Sequence, residues 1–593
     1  MTTHRFETTW GALPEGETAR FRLWAPGVET LRLWLDERER PMTPVGNGWF
    51  EARENAAPGT PYGFVLPSGL RVPDPAARAQ AAGVNGPSLL VDPTAYAWSV
   101  PSPQRPWEEA VIHEIHVGTF TEAGTFAAAA ERMAYLADLG ATAVELMPVA
   151  QFDGARGWGY DGVLLYAPHN AYGTPEDLKR LVEAAHREGL MVMLDVVYNH
   201  FGPEGNYLGA YAPEFFTEDR HTPWGAGIDY TREAVRRFVV ENALHWLAEY
   251  DLDGLRLDAI DHIHDPSDPE ILVEIAQAVR AMRGDRPTWL TTEDNRNVTH
   301  LHERTAPAHY DGEWNDDLHN AAHVVATGET EGYYGGFADD PWGHYARALA
   351  EGFAYQGETE PGTGEARGKP SGHMPPAAFV DFLQNHDQVG NRAMGERLVA
   401  LTEPPMLEAL GAIHLLSPHI PLLFMGEEYG ETRPFFFFTD FHGELAEAVR
   451  EGRRKEFASF RLFQGEEARE AIPDPNDEGT FLASKLDWGK LDREAGQAAH
   501  ARARMLLRLR REHVVPRLAG ARGGGRVVEV EPGAVAVDWP LDGALWQLRA
   551  NLGDRPRALA RATGRLVFGP APGVGGEMPP FGVAFFLDEG AAA

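Results

Sequence analysis

The chain changes its hydrophobic pattern twice, near residue 98 and again near residue 514. Over residues 1–97, short runs such as "ARFRLWAP" and "LRLWL" alternate apolar with polar positions between Gly, Pro and Asn turns. This alternation is typical of strands that bury one face, and it predicts an N-terminal β-sandwich. Residues 515–593 return to the same pattern in "RVVEVEPGAVAVDWP", which predicts a second β-sandwich on the C-terminal side.

Residues 98–514 alternate apolar strands with helices, a pattern that parallel strands joined by crossover helices produce. One helix has a clear start, because Thr174 can cap it and Pro175 suits its first turn. Eight repeats predict a fold of the α/β class, a closed (β/α)8 TIM barrel with its active site at the C-terminal strand ends. The eight strand runs are "VIHEIHVGTF", "ATAVELMP", "LMVMLDVVY", "GLRLDAI", "TWLTTED", "HYDGEWN", "AFVDFLQ" and "HIPLLFMG".

Charged residues stand at the ends of four predicted strands. In "DGLRLDAIDHI", Arg256 and Asp258 are two positions apart, so an extended chain places both on one face. Other predicted strands end in Asp195, Glu293 and Asp387. We expect all four carboxylates to lie around the same end of the barrel. A single strand-end acid often pairs with Arg for structural reasons alone, but four that converge predict a reactive site.

Two of these carboxylates are expected to differ in pKa. Arg256 beside Asp258 should lower the pKa of Asp258 and keep it ionised, as a nucleophile requires. Glu293 ends the apolar run "TWLTT" without a basic neighbour on its own face, so its pKa should rise and suit a general acid. Such a pair performs glycoside hydrolysis, with a separation of about 5 to 5.5 Å in retaining enzymes.

Composition narrows the function classes. The net charge of −35, from 88 acidic and 53 basic residues, repels nucleic acid and anionic membranes, so neither is an expected partner. The absence of cysteine excludes disulfides, thiolate nucleophiles and zinc–thiolate sites. The N-terminus lacks a secretory pattern and no run of about 18 apolar residues occurs, so a cytoplasmic protein is expected. The oligomeric state stays open.

Four segments carry a family resemblance. "DVVYNH", "GLRLDAIDH", "TTED" and "LQNHDQVGNR" resemble, in order and spacing, the signature segments of glycoside hydrolase family 13, the α-amylase family. The resemblance implies that Asp258 is the nucleophile, Glu293 the general acid/base, and Asp387 the carboxylate that holds sugar hydroxyls and strains the ring. "FRLWAPGVETLRLWL" also resembles the N-terminal β-sandwich of isoamylases and branching enzymes.

The resemblance also implies residues that bind the substrate. It makes Arg256, His200 and His386 the polar shell of the cleaved sugar and Tyr160, in "GWGYDG", its aromatic platform. His386 and Asp387 are adjacent, so at least one of them must lie past the strand end. The full set of predicted binding residues is Tyr160, Asp195, His200, Arg256, His386, Trp314, Asn315, Asp316 and Asp317. No cofactor and no metal are expected, since the two His of "HEIH" are three apart on a strand and face opposite ways.

Two segments, 311–334 and 434–457, favour family members that act on maltooligosyltrehalose. The expected reaction is cleavage of the α-1,4 bond beside the terminal trehalose, with Trp314, Asn315, Asp316 and Asp317 holding the trehalose unit. A glycogen branching enzyme is the main alternative, because it has the same domain order and the same covalent intermediate. A metal-dependent hydrolase and a non-catalytic α-glucan-binding barrel are weaker alternatives, the latter opposed by the three carboxylates.

Overall fold

A closed barrel of eight parallel strands forms the centre of the computed structural model, which describes residues 2–222, 225–303 and 309–590. Each barrel strand lies within one of the eight apolar runs, so the predicted fold class is confirmed. The strands are β1 (Ile112–Ile115), β2 (Ala143–Leu146), β3 (Met191–Val196), β4 (Gly254–Leu257), β5 (Trp289–Thr292), β6 (Gly312–Trp314), β7 (Phe379–Asp381) and β8 (Ile420–Phe424).

The barrel interior is apolar at one end and polar at the other. Its lower layer is an apolar cluster that includes Ile112, Ala143, Met193, Trp289, Val380 and Leu422. Side chains two positions further along a strand share the same face, and on β1 to β5 these are the buried Glu114, Glu145, Asp195, Arg256 and Thr291. The interior therefore becomes polar towards the carboxyl ends of the strands, where the site was expected.

Helices surround the barrel, and one of them begins as predicted. The Thr174 hydroxyl accepts the backbone N–H of Asp177, whose carboxylate in turn accepts that of Thr174. This reciprocal capping box satisfies donors that a helix start leaves free. The longer helices are α1 (Pro175–Arg187), α2 (Glu233–Glu249), α3 (Ile271–Arg283), α4 (Asp316–Thr327), α5 (Pro341–Glu351), α6 (Pro404–Leu416), α7 (Gly443–Glu456) and α8 (Glu494–His513). None of the helices in the described part of the chain has the length and apolar composition needed to cross a membrane.

Two antiparallel sheets precede the barrel and share its core. One contains strands Gly11–Glu15, Thr18–Trp24, Trp49–Asn55 and Thr43–Gly46, and the other Arg38–Pro41, Arg32–Leu35, Pro61–Val65 and Arg71–Val72. Next to the first sheet, Trp10 packs edge-on against Phe238 of α2 at 5.0 Å between ring centroids, and its indole N–H donates to the carbonyl of Ala234 at 3.2 Å. The apolar core therefore runs from the sheets into the barrel without a break.

A five-stranded antiparallel sheet follows the barrel. Its strands, in spatial order, are Arg526–Glu531, Ala534–Leu541, Ala544–Asn551, Val583–Asp588 and Arg565–Phe568. Two buried tryptophans fasten it to the barrel helices: Trp539 donates to the carbonyl of Leu349 on α5 at 3.0 Å, and Trp546 to that of Leu416 on α6 at 2.8 Å. This sheet thus packs on the side of the barrel where α5 and α6 lie.

The same side of the barrel has the shortest strands. β6 and β7 contain three residues each. Strand β6 pairs with β5 only at Gly312 and Glu313, and β7 pairs with β8 only at Val380 and Asp381. By contrast, β1 pairs with β2 along all four of its residues. We call the part of the wall formed by β6 and β7 the thin seam.

Candidate active site

One buried guanidinium joins three strand ends. Arg256 is fully buried on the inner face of β4, and its Nη1 lies 2.5 Å from Oδ2 of Asp195 and 2.9 Å from Oδ1 of Asp258. Its Nη2 lies 2.7 Å from Oε2 of Glu293. The predicted pair of Arg256 and Asp258 is therefore present, and the three carboxylates stand on the same rim of the barrel.

The Asp258 carboxylate is held through both oxygens. Arg256 binds Oδ1, and the side-chain amide of Asn199 donates to Oδ2 at 3.1 Å. Asp258 directly follows β4, and its side chain is 10% exposed. These two partners fix the orientation of the Asp258 side chain.

The expectation that Glu293 has no basic neighbour is wrong. Arg256 reaches it from the adjacent strand, since the register places Arg256 opposite Thr291, two residues before Glu293. The predicted direction of its pKa is nevertheless found: burial raises the pKa of Glu293 above its usual range, Asp258 adds to the rise, and Arg256 opposes it. A raised pKa is the direction that a general acid requires.

His386 and Asp387 both lie past the end of their strand. They begin the short helix His386–Gly390, whereas β7 ends at Asp381. The Asp387 side chain is 33% exposed, and burial raises its pKa while His386 opposes that rise. Tyr160 stacks on the His386 ring, with centroids 5.1 Å apart and planes at 21°. Its hydroxyl donates to Oδ2 of Asp195 at 2.5 Å, so Tyr160 and His386 form one polar wall of the cleft.

His200 supports this wall from behind. Its Nε2 lies 2.9 Å from the carbonyl oxygen of Tyr160, and its Nδ1 contacts the side-chain oxygen of Asn199. Burial lowers the pKa of His200 to about 4, so the ring is neutral near pH 7. Protein oxygens lie beside both ring nitrogens, and the predicted contact of His200 with a sugar stays a prediction.

Three of the four residues expected to hold trehalose do not face the cleft. Trp314 is only 2% exposed, and the Arg256 guanidinium covers its ring at 4.0 Å from the centroid, so a sugar cannot stack there. Asn315 caps α4 and donates to Oδ1 of Asp381 at 2.9 Å. The Asp317 carboxylate accepts two backbone N–H groups at 2.8 and 3.0 Å. The reason is the short β6, which ends below the rim and is followed at once by α4.

Asp316 is the member of that group that points towards the site. Its Oδ1 accepts the Gln388 side-chain amide at 2.9 Å, and it is only partly buried. Burial raises the pKa of Asp316 to about 8, and the charges of Glu293 and Asp387 add to the rise. Asp316 thus lies close enough to both carboxylates to share their cleft.

Two acidic residues below the site were not predicted, because they lie within strands and not at the strand ends. Glu114 and Glu145 face each other on β1 and β2, both in the barrel interior. The Glu145 carboxyl has no hydrogen-bond partner among the described residues, and burial, followed by the charge of Glu114, raises its pKa well above the usual range. The sequence pattern that could have identified both residues is an acidic residue inside an apolar strand, two positions after an apolar residue that faces the barrel interior.

No group of three or more acidic, histidine or cysteine side chains with the spacing of a metal site occurs in the described ranges of the chain. In "HEIH", His113 instead lies 3.2 Å from the Glu428 carboxylate, and His116 bonds the Thr119 hydroxyl at 2.9 Å. Phe435 and Phe438, at the two ends of the run 435–438, are fully buried, so neither of them can stack on a sugar.

A (β/α)8 barrel whose rim carries a guanidinium-bound aspartate and a glutamic acid with a raised pKa is the architecture of a glycoside hydrolase of the α-amylase class. Residues 113–219 match the family model "Alpha amylase, catalytic domain", and residues 521–585 match a domain of unknown function, DUF3459.

Relatives refine this class. The chain is 46% identical to a malto-oligosyltrehalose trehalohydrolase of Deinococcus radiodurans, over 87% of this chain and 85% of that protein. A crystal structure of a protein from Salmonella typhimurium superposes with a TM-score of 0.94 at 53% identity, covering 98% of this chain and 100% of that one. A glucan branching enzyme of Streptomyces avermitilis is 35% identical over 41% of this chain and 45% of its own length. The chain belongs to the malto-oligosyltrehalose trehalohydrolase family.

Proposed function

We propose that the protein hydrolyses the α-1,4-glucosidic bond beside the terminal trehalose of a maltooligosyltrehalose, releasing trehalose and a maltooligosaccharide with retained configuration. The observation that carries the chemistry is the shared guanidinium of Arg256, which holds Asp258 and Glu293 side by side at one rim. The substrate follows from the relatives that align along most of the chain. We place the reaction in the cytoplasm.

In the first step, a carboxylate oxygen of Asp258 attacks the anomeric carbon. The proton of Glu293 passes to the glycosidic oxygen, and trehalose leaves with the bonding electron pair. Asn199 and Arg256 hold Asp258 in place, so little reorganisation precedes the attack. Burial raises the pKa of Glu293, which is the direction that a proton donor requires.

In the second step, water opens the glycosyl ester on Asp258. Glu293, now a carboxylate, takes a proton from that water, and the water oxygen bonds to the anomeric carbon from the side that trehalose left. The bond to Asp258 breaks and both carboxyl groups regain their starting states. Two inversions at one carbon give overall retention.

The wall of the cleft is proposed to bind the sugar that is cleaved. Tyr160 serves as the aromatic platform, and Asp387, which is more exposed than Asp258 and Glu293, accepts sugar hydroxyls. We propose that Asp316 forms hydrogen bonds with sugar hydroxyls near Glu293, since it is only partly buried and lies close to Glu293 and Asp387. The sugar is not proposed to contact Trp314, Asn315 or Asp317, because these side chains lie behind the cleft.

A branching enzyme is the second candidate, because a relative with that activity aligns with part of the chain. Both activities share the glycosyl ester on Asp258 and differ in the acceptor that opens it. A sugar hydroxyl in place of water would give transfer. The relatives named as trehalohydrolases align over about twice as much of this chain, which favours water.

The test is to incubate the enzyme in parallel with maltooligosyltrehalose and with amylose. We expect free trehalose from the first and no new α-1,6 bonds in the second, measured by chromatography and by proton NMR of the anomeric region. Formation of α-1,6 branches without trehalose release would assign the protein to the branching enzymes. The Asp258→Asn variant serves as the blank for both reactions.

A further inference from the structure

The carboxylate of Glu114 binds His386 twice. Its Oε1 lies 2.5 Å from Nδ1 of the imidazole, and its Oε2 accepts the backbone N–H of His386 at 3.0 Å. Glu114 is 1% exposed and His386 is fully buried, so water does not compete for either bond. A carboxylate that holds the ring and the backbone of one residue fixes the rotation of that ring and keeps a proton on Nδ1.

The second ring nitrogen of His386 points to Tyr160 and Asp387. Nε2 lies 2.7 Å from the hydroxyl oxygen of Tyr160 and 3.5 Å from Oδ1 of Asp387. The Tyr160 hydroxyl donates to Oδ2 of Asp195, an oxygen that also accepts from Arg256. The Tyr160 oxygen is therefore the acceptor towards His386, and Nε2 must carry a proton too.

We propose that Glu114 is a positioning residue for the reaction: its carboxylate keeps His386 protonated on both nitrogens and directs its Nε2–H to the Tyr160 hydroxyl beside Asp387. There the imidazolium compensates the charge of Asp387 and, through its bond to Tyr160, fixes the wall against which the sugar binds. The inference rests on the proposed hydrolysis at Asp258, and it adds a group below the rim that never touches the substrate.

The surroundings of His386 support this charge state. Burial alone lowers the pKa of His386, but Glu114 and then Asp387 outweigh it and raise the pKa to about 9, against the opposing charge of Arg256. The titratable groups that face His386 from other elements are Glu114, Glu145, Asp195, Arg256, Glu293, Tyr160 and His116. Of these, only Glu114 bonds the ring nitrogen that points away from the cleft.

Glu145 offers a matched control. It lies directly opposite Glu114 on the neighbouring strand and is equally buried. Burial and the charge of Glu114 raise the pKa of Glu145 well above its usual range, and Glu145→Gln keeps the size of the side chain. Glu114→Gln instead removes a negative charge from the His386 ring.

The experiment measures kcat/KM for maltotetraosyl fluoride from about pH 5 to about pH 10. Fluoride leaves without a proton from Glu293, so the ionisation of Glu293 does not lower kcat/KM at alkaline pH. The alkaline limb of the pH profile then reports the loss of a proton from His386. We expect the midpoint of the alkaline limb near pH 9 for the wild type. For Glu114→Gln we expect this midpoint to move down by about one pH unit or more. Glu145→Gln should keep the wild-type limb, and Glu114→Asp, which withdraws the charge slightly, should lie between.

An unshifted limb in Glu114→Gln, with a wild-type circular dichroism spectrum, would overturn the proposal. So would an equal shift in Glu145→Gln, since that would indicate a general disturbance of the barrel. If Glu114→Gln does not fold, Glu114→Asp decides, and an unshifted limb in that variant refutes the role. The fluoride donor contains no trehalose, so failure of the trehalose assay leaves this result independent.

Discussion

At the scale of single residues, Arg256 is the group on which the charges of the site depend. It touches Asp195, Asp258 and Glu293 at once, while the ring of Trp314 covers its face. Removal of one partner from such a buried group leaves a charge without compensation, which is costly. Substitutions in this cluster should therefore conserve shape and hydrogen bonding, as Asp→Asn and Glu→Gln do.

The two proposed roles predict different substrate dependences. Glu293→Gln should lower kcat/KM for maltooligosyltrehalose by about 10²- to 10⁴-fold, because trehalose needs a proton to leave. It should change the first step on maltotetraosyl fluoride far less, since fluoride leaves unaided. Asp258→Asn should lose on the order of 10⁴-fold or more on both substrates, because no glycosyl ester can form. Equal losses of Glu293→Gln on both substrates would contradict the acid role.

Sequence reasoning at this scale succeeds where partners are close along the chain. Arg256 and Asp258 share a strand face by spacing alone, and the structure joins them at 2.9 Å. It fails where the partner comes from another strand, as for Glu293, whose contact with Arg256 depends on sheet register. Glu114 and His386 are 272 positions apart, and no local pattern brings them together.

At the scale of elements, the eight strand runs were predictable because a parallel barrel strand is apolar on both faces. The lengths of the strands were not. The runs "HYDGEWN" and "AFVDFLQ" contain only three strand residues each, since barrel closure and the helix starting at Asp316 limit how far the ladder continues. The same limit explains why Trp314 lies below the rim and not on it.

The start of α1 gives a prediction at this scale. Thr174→Ala removes the acceptor for the backbone N–H of Asp177 and half of the capping box. We expect a loss of about 1 kcal/mol in the free energy of unfolding. A lower urea midpoint with an unchanged slope and unchanged kcat would show it. Thr174→Ser keeps the hydroxyl and should remain near wild type, and a Thr174→Ser variant as unstable as Thr174→Ala would argue against the cap.

At the scale of the whole molecule, the flanking sheets belong to the structure of the barrel. Trp10 ties the first sheet to α2, and Arg78 forms a salt bridge with Glu249 at 3.1 Å in which both side chains are buried. Trp539 and Trp546 tie the last sheet to α5 and α6. Because each sheet buries part of the barrel surface, the three units should unfold together.

The last sheet is expected to stabilise the thin seam in particular. Trp539→Ala removes a fully buried indole against α5 and should cost about 3 to 5 kcal/mol. Hydrogen–deuterium exchange should then accelerate in β6 and β7 more than in β1 and β2. Trp10→Ala, at the other end of the molecule, is the matched control and should accelerate exchange near α2 instead. Uniform acceleration in both variants would exclude a local role.

The thin seam also bears on how the chain reaches its native state. Strands β6 and β7 pair with their neighbours at only two positions each, so they form few hydrogen bonds. These few bonds offset little of the entropy that is lost when the long loops between strands close. We therefore expect β6 and β7 to join the barrel after the strands with longer pairings. A late intermediate would then be a curved six-stranded wall with its lower layer still open to solvent. Apolar side chains exposed there, such as Trp289 and Val380, would make that species the one from which aggregation starts when the protein is refolded at high concentration.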